Sequence, residues 1–197
     1  MAVLRPLAVG TIPAGPLGVP HRWTFDTFED MLRQWGGAII ATPRVYAGNN
    51  CLFIAVSALL RRSGANLGGP APEDLLRYSL RLRRTTGAHV LDYPLSATPP
   101  RPTGRVRVAP SVDDRATASA IANSLQSGQM LGPRVVPVIS SVLGLSFEVL
   151  VIDADSPVIP PHNAYLVSSD QGPLFVPVFA GTLVLFDGHW YPVAAPI

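Results

Sequence analysis

Apolar side chains recur at spacings of three and four from Thr24 to Trp35. Phe25, Phe28, Leu32 and Trp35 share one side, which predicts a short amphipathic helix opened by Thr24 or Asp26 and closed by Gly36-Gly37. Ala38 to Thr42 is a brief apolar run, read as a strand or an extended segment. Cys51-Leu52-Phe53-Ile54-Ala55-Val56-Ser57-Ala58-Leu59-Leu60 is apolar nearly all round, so a helix here must be buried. The turn signal Gly48-Asn49-Asn50 precedes it, and Arg61, Arg62 and Gly64 mark its end. Pro72-Glu73-Asp74 opens a further helix, with acidic residues in its first turn and Leu75, Leu76, Ser79, Leu80 and Leu82 along it to about Arg84.

The second half changes character. Residues 94–112 hold five prolines and read as a loop with a short strand at Val106 to Val108. A third helix is expected from Asp113 or Asp114 to Gln126. After the break at Gly132-Pro133, Val135 to Leu143 is a fourth helix or an apolar connector. Strands are then expected at Phe147 to Asp153, Tyr165 to Ser168, Leu174 to Phe179 and Thr182 to Phe186. A further strand, His189 to Val193, follows the Asp187-Gly188 hairpin signal. Helices first and strands afterwards point to an α+β fold, with helices packed on a small mixed or antiparallel sheet.

Composition narrows the function classes. With 48% hydrophobic and 14% charged residues, the 197-residue chain has the makings of one folded domain. Residues 1–22 form a Pro/Gly-rich extended segment and 23–197 the domain. The apolar stretch of the first twenty residues is broken by Pro6, Pro13, Pro16 and Pro20, which argues against a secretion signal, and no membrane-spanning run is visible. The net charge of +2 and the lack of a basic stripe interleaved with aromatics argue against nucleic-acid binding. Arg77, Arg81, Arg83 and Arg84 read as the solvated face of a helix. All 15 basic residues are Arg, as a GC-rich genome would produce and as avoidance of ubiquitin attachment at lysine would also favour. One cysteine excludes an internal disulfide and a Cys-rich zinc site, and no metal or cofactor is expected.

That cysteine has a chemically suggestive setting. Cys51 opens the buried helix, where unpaired backbone N–H groups and the helix dipole favour a thiolate. The Gly48-Asn49-Asn50 turn before it can aim N–H groups at one point, as an oxyanion hole requires. Of the four histidines, His21, His89, His162 and His189, only His189 lies between apolar strand segments that would hold a general base rigidly.

Here the chain resembles the ovarian-tumour (OTU) family of papain-like cysteine proteases. Gly48-Asn49-Asn50-Cys51-Leu52-Phe53-Ile54-Ala55 is similar to the family's cysteine motif, with the Asn-Cys-Leu-Phe core at 50–53 and the alanine at 55. Leu183-Val184-Leu185-Phe186-Asp187-Gly188-His189-Trp190 resembles its closing motif, an apolar strand followed by His and an aromatic. The resemblance spans roughly residues 45–193 and implies a papain-like OTU-type fold. It implies Cys51 as nucleophile, His189 as general base, Gly48, Asn49 and Asn50 as the oxyanion loop, and Trp190 either as a wall of the substrate channel or as plain core. The implied substrate is a conjugate of ubiquitin or a ubiquitin-like protein, cleaved by a monomeric enzyme without a cofactor.

The chain departs from the family where a catalytic acid is expected. Many members place Asp or Asn two residues after the histidine, and that position is Tyr191 here. Asp187 is the nearest substitute, with Asp26, Asn49 and Asp153 as others and a Cys-His dyad as a further option. The lean, lysine-free chain suits a bacterial effector or a viral enzyme acting in a host cytoplasm. Because the sequence ends eight residues after His189, self-processing of a viral polyprotein is an alternative. So are a peptidoglycan-cleaving peptidase and an inactive, ubiquitin-binding OTU-like module.

Overall fold

The computed structural model describes residues 24–34, 36–43, 49–90, 107–108, 115–152, 164–167 and 178–194. The expected extended segment 1–22, Trp35, Gly48 and Asp153 lie outside them. The elements in chain order are α1 (Phe25–Gln34), β1 (Ala38–Ile39), α2 (Cys51–Arg62), α3 (Pro72–His89), β2 (Arg107–Val108) and α4 (Arg115–Gln126). A 3-10 turn (Pro133–Val135) then leads into α5 (Val136–Leu143), β3 (Leu145–Ile152), β4 (Ala164–Val167), β5 (Val178–Phe186) and β6 (His189–Ala194).

The strands form one sheet in the order β1-β6-β5-β3-β4-β2. It is mixed: β3 runs parallel to β5 and β2 to β4, and the other neighbours are antiparallel. Side chains alternate across it, as strand geometry requires. Phe147, Val149, Leu183 and Trp190 share one core with residues of α2, α3, α4 and α5, while Leu150, Ile152, Val184, Phe186 and Val193 share another with Phe28, Met31 and Leu32 of α1. The sheet is therefore covered by α1 on one face and by the other helices on the opposite face. The expected α+β class holds. Among the described residues, no helix is long and apolar enough to cross a membrane.

Two elements differ from the pattern-based expectation. Helix α3 continues past Arg84 to His89. Thr86 is buried and its Oγ1 donates to the Leu82 carbonyl at 2.8 Å, and Gly87 lies against Leu125 of α4, so packing carries the helix through weak helix formers. Of the strand expected at Leu174 to Phe179, residues 174–177 lie outside the described residues, and Val178 and Phe179 run on with the expected Thr182 to Phe186 in one strand, β5, whose break in pattern is a bulge. Ser146 pairs with Phe179 but Phe147 with Gly181, leaving Ala180 as the extra residue. Gly181 has φ +137°, and a Cβ there would lie 2.7 Å from Leu59 Cδ2, so the bulge lets α2 approach β5 closely.

Candidate active site

Helix α2 is deeply buried, with every residue from Leu52 to Leu60 inside the core and half-buried Cys51 at its first position. An asparagine before a helix normally caps it with its side chain. Asn50 does not. Its Nδ2 donates to Ser79 Oγ at 2.8 Å, that hydroxyl donates in turn to the Leu76 carbonyl, and Asn50 gives α2 no side-chain cap. Among the described residues, the first-turn N–H groups beside Cys51, which a helix cannot satisfy internally, are thus left without a cap from the Asn50 side chain. They form a ready electrostatic partner for a developing oxyanion.

Asn49 makes the sharp entry into the helix with φ +53°, a left-handed conformation that Asn tolerates better than most residues. Its Nδ2 donates to the Gly128 carbonyl at 3.0 Å. Its own carbonyl accepts from Arg83 Nη1 at 3.0 Å. Arg83 corrects the sequence reading: it is only 8% exposed and is not part of a solvated face. Its guanidinium also donates to the carbonyls of Leu125 (2.9 Å), Ser124 (3.1 Å) and Gln129 (3.2 Å), and it lies over the Phe53 ring. The signal was present in the spacing. Leu75, Ser79, Leu82 and Thr86 form the buried stripe of α3, and position 83 follows Ser79 by four.

The histidine side is built by the β5–β6 hairpin. Asp187 and Gly188 have φ of +46° and +71°, the two-residue turn that an Asp-Gly pair favours between twisted strands. His189 is the first residue of β6, paired with Phe186, and β1 covers only the far end of that strand, at Val193 and Ala194. The His189 ring meets the Tyr191 ring at a centroid distance of 4.7 Å. Partial desolvation pushes its pKa below the ordinary 6.5, so the neutral, proton-accepting form prevails at neutral pH.

Tyr191 packs on the histidine side of the site. It is in ring contact with His189, and its phenol is raised above 10.0 by burial first, then by the negative charges of Asp187 and of Cys51. On its other side Tyr191 meets Phe25 and Phe28 of α1. Asp187 is exposed at the turn, and among the described residues it makes no hydrogen bond to His189. Asn49 spends its amide on Gly128, and Asp26 is exposed in the first turn of α1.

Trp190, expected either to wall a channel or to fill the core, is 1% exposed. Its indole Nε1 donates to the Leu131 carbonyl at 2.8 Å. Its place is the core, because alternation along β6 turns it away from the His189 face. The backbone of residues 128–131 thereby ties the cysteine loop, through Gly128 and Gln129, to the histidine strand, through Leu131. Beside it lies an open groove lined by Ile121, Met130, Leu131, Pro133 and Arg134, with Met130 against Gly188 of the hairpin. No sequence pattern announced this segment, since its carbonyls act without regard to side-chain type.

No protein-family model matches the chain, and no curated protein does either. Solved structures do. The OTU domain of OTUD1 aligns at 18% identity over 85% of this chain and 92% of that one, with a TM-score of 0.50. The viral OTU domain protease from Dera Ghazi Khan virus aligns at 17% identity over 81% and 83%, with a TM-score of 0.48. The Hazara virus OTU bound to ubiquitin aligns at 15% identity over 82% and 83%, with a TM-score of 0.42. The architecture around Cys51 is thus an OTU-type fold.

Proposed function

We propose that this chain is a cysteine peptidase of the OTU family that releases ubiquitin, or a ubiquitin-like modifier, from conjugates. The observation that carries the reading is the placement of Cys51 at the N-terminus of a buried helix, in an OTU-type fold whose β5–β6 hairpin presents His189. His189 takes the thiol proton, and the Cys51 sulfur attacks the carbonyl carbon of the modifier's last residue. The carbonyl oxygen becomes an oxyanion held by N–H groups at the start of α2. As the C–N bond breaks, His189 returns the proton to the leaving amine. Water, deprotonated by His189, then hydrolyses the thioester and frees the carboxylate and the thiol. The catalytic pair is a dyad, with Tyr191 supporting His189 by contact where relatives carry a carboxylate or amide. A lysine-free chain suits work in a ubiquitin-rich cytoplasm, since it offers no side-chain amine for modification.

The test is turnover of a ubiquitin–aminocoumarin substrate by wild type, Cys51→Ala and His189→Ala. Release of the fluorophore by wild type alone supports the reading. Tight ubiquitin binding with no turnover by folded wild type would favour the second reading, an inactive binding module, which the aromatic Tyr191 at the acid position makes worth separating.

A further inference from the structure

We propose that Arg83 is a positioning residue for the nucleophile: its buried guanidinium fixes the Asn49 carbonyl and thereby the turn that sets the N–H groups and sulfur of Cys51. This inference rests on the peptidase reading and deepens it.

Burying a guanidinium is costly unless its donors are matched. Here the matching is extensive. Four carbonyls from three chain segments converge on Arg83: Asn49 before the nucleophile, Ser124 and Leu125 in the last turn of α4, and Gln129 beyond it. The last-turn carbonyls of α4 carry the negative end of that helix and suit a cation. Asn49 is the one partner with a left-handed backbone, and it sits two residues before the sulfur. A fork that holds its carbonyl limits rotation of the peptide into Asn50, so the first-turn N–H groups keep one direction. The same fork anchors the segment that continues to Leu131 and receives the Trp190 indole behind His189. One side chain therefore sets the cysteine loop against the histidine strand.

The electrostatics run the same way. Desolvation lowers the Arg83 pKa, and negative charge on Cys51 opposes that shift. The guanidinium thus lies near enough to the sulfur for a charge on one to be felt at the other. Lysine at 83 would keep the charge but cannot span four carbonyls with a planar fork.

Arg83→Lys and Arg83→Gln, each checked for a cooperative thermal transition, separate the two contributions. Cys51 is the only thiol in the chain, so alkylation by iodoacetamide reports on it alone. Arg83→Lys is expected to lower kcat on ubiquitin–aminocoumarin by roughly tenfold to a hundredfold, with KM within about threefold and alkylation within about threefold of wild type. Arg83→Gln is expected to lose kcat and also to alkylate about tenfold more slowly. If Arg83→Gln does not fold, Arg83→Lys decides alone. Wild-type kcat in Arg83→Lys, or wild-type alkylation in folded Arg83→Gln, would overturn the proposal. Wild type that is inert toward ubiquitin sinks the peptidase reading instead, and the alkylation comparison still judges Arg83.

Discussion

Tyr191 meets His189 edge-on, with ring centroids 4.7 Å apart and planes at 61°. The two residues are neighbours on one face of β6 because they are two apart in a strand. Behind Tyr191 stands an aromatic stack in which Phe28 lies parallel to Phe186 at 4.6 Å. In the proposed reaction this wall would orient the imidazole by packing. Tyr191→Phe keeps the ring edge and is expected to retain kcat/KM within about threefold. Tyr191→Ala removes it and is expected to lose about tenfold to a hundredfold, the scale of a misplaced general base. Steady-state kinetics on a ubiquitin–aminocoumarin substrate decide. Equal activity in the Ala variant would remove Tyr191 from the account.

Partial desolvation of His189 bears on the pH profile of the proposed reaction. Protonation disables a base, and the His189 pKa is depressed below 6.5, so the acidic limb of kcat/KM is expected to fall below pH 6.5. Opening the ring to water in Tyr191→Ala should move that limb upward, toward the ordinary imidazole value. A pH–rate series on both proteins tests the sign.

Asp187 separates dyad from triad. It occupies a left-handed turn position at φ +46° that asparagine adopts readily. Asp187→Asn is therefore expected to fold normally and keep kcat/KM within about threefold, since no orienting bond is lost. An orienting acid would behave otherwise, with losses of up to about ten-thousandfold for such a change in a Ser-His-Asp triad.

Gly181 is where β5 approaches Leu59 of α2 closely. Its φ of +137° is strained for any other residue, and a Cβ would press on Leu59. Gly181→Ala is expected to cost about 1–3 kcal/mol, from backbone strain and overpacking together. Urea denaturation with an unchanged m-value would show the loss as native-state destabilisation.

Much of this was legible in the sequence, for reasons that can be named. Helix α2 was readable because a ten-residue apolar run after an Asn-Asn turn has few alternatives, and the β5–β6 hairpin because Asp-Gly favours that turn type. Arg83 was misread because charge suggested solvent, although its spacing from Ser79 placed it on the buried stripe. Its carbonyl partners lie 34 to 46 residues away in sequence, beyond the reach of local pattern. The bulge at Ala180 was hidden because a bulge and a strand break interrupt alternation alike. Trp190 was ambiguous until the strand's register turned its side chain into the core.

The central claim is that Cys51 is a nucleophile aimed at the carboxyl end of a ubiquitin-like substrate. Its most direct test is intact-mass analysis after incubation with ubiquitin bearing a C-terminal propargylamide. A single adduct is expected on wild type, none on Cys51→Ala, and a slowed one on His189→Ala. Absence of an adduct on folded wild type whose Cys51 still reacts with iodoacetamide would contradict it.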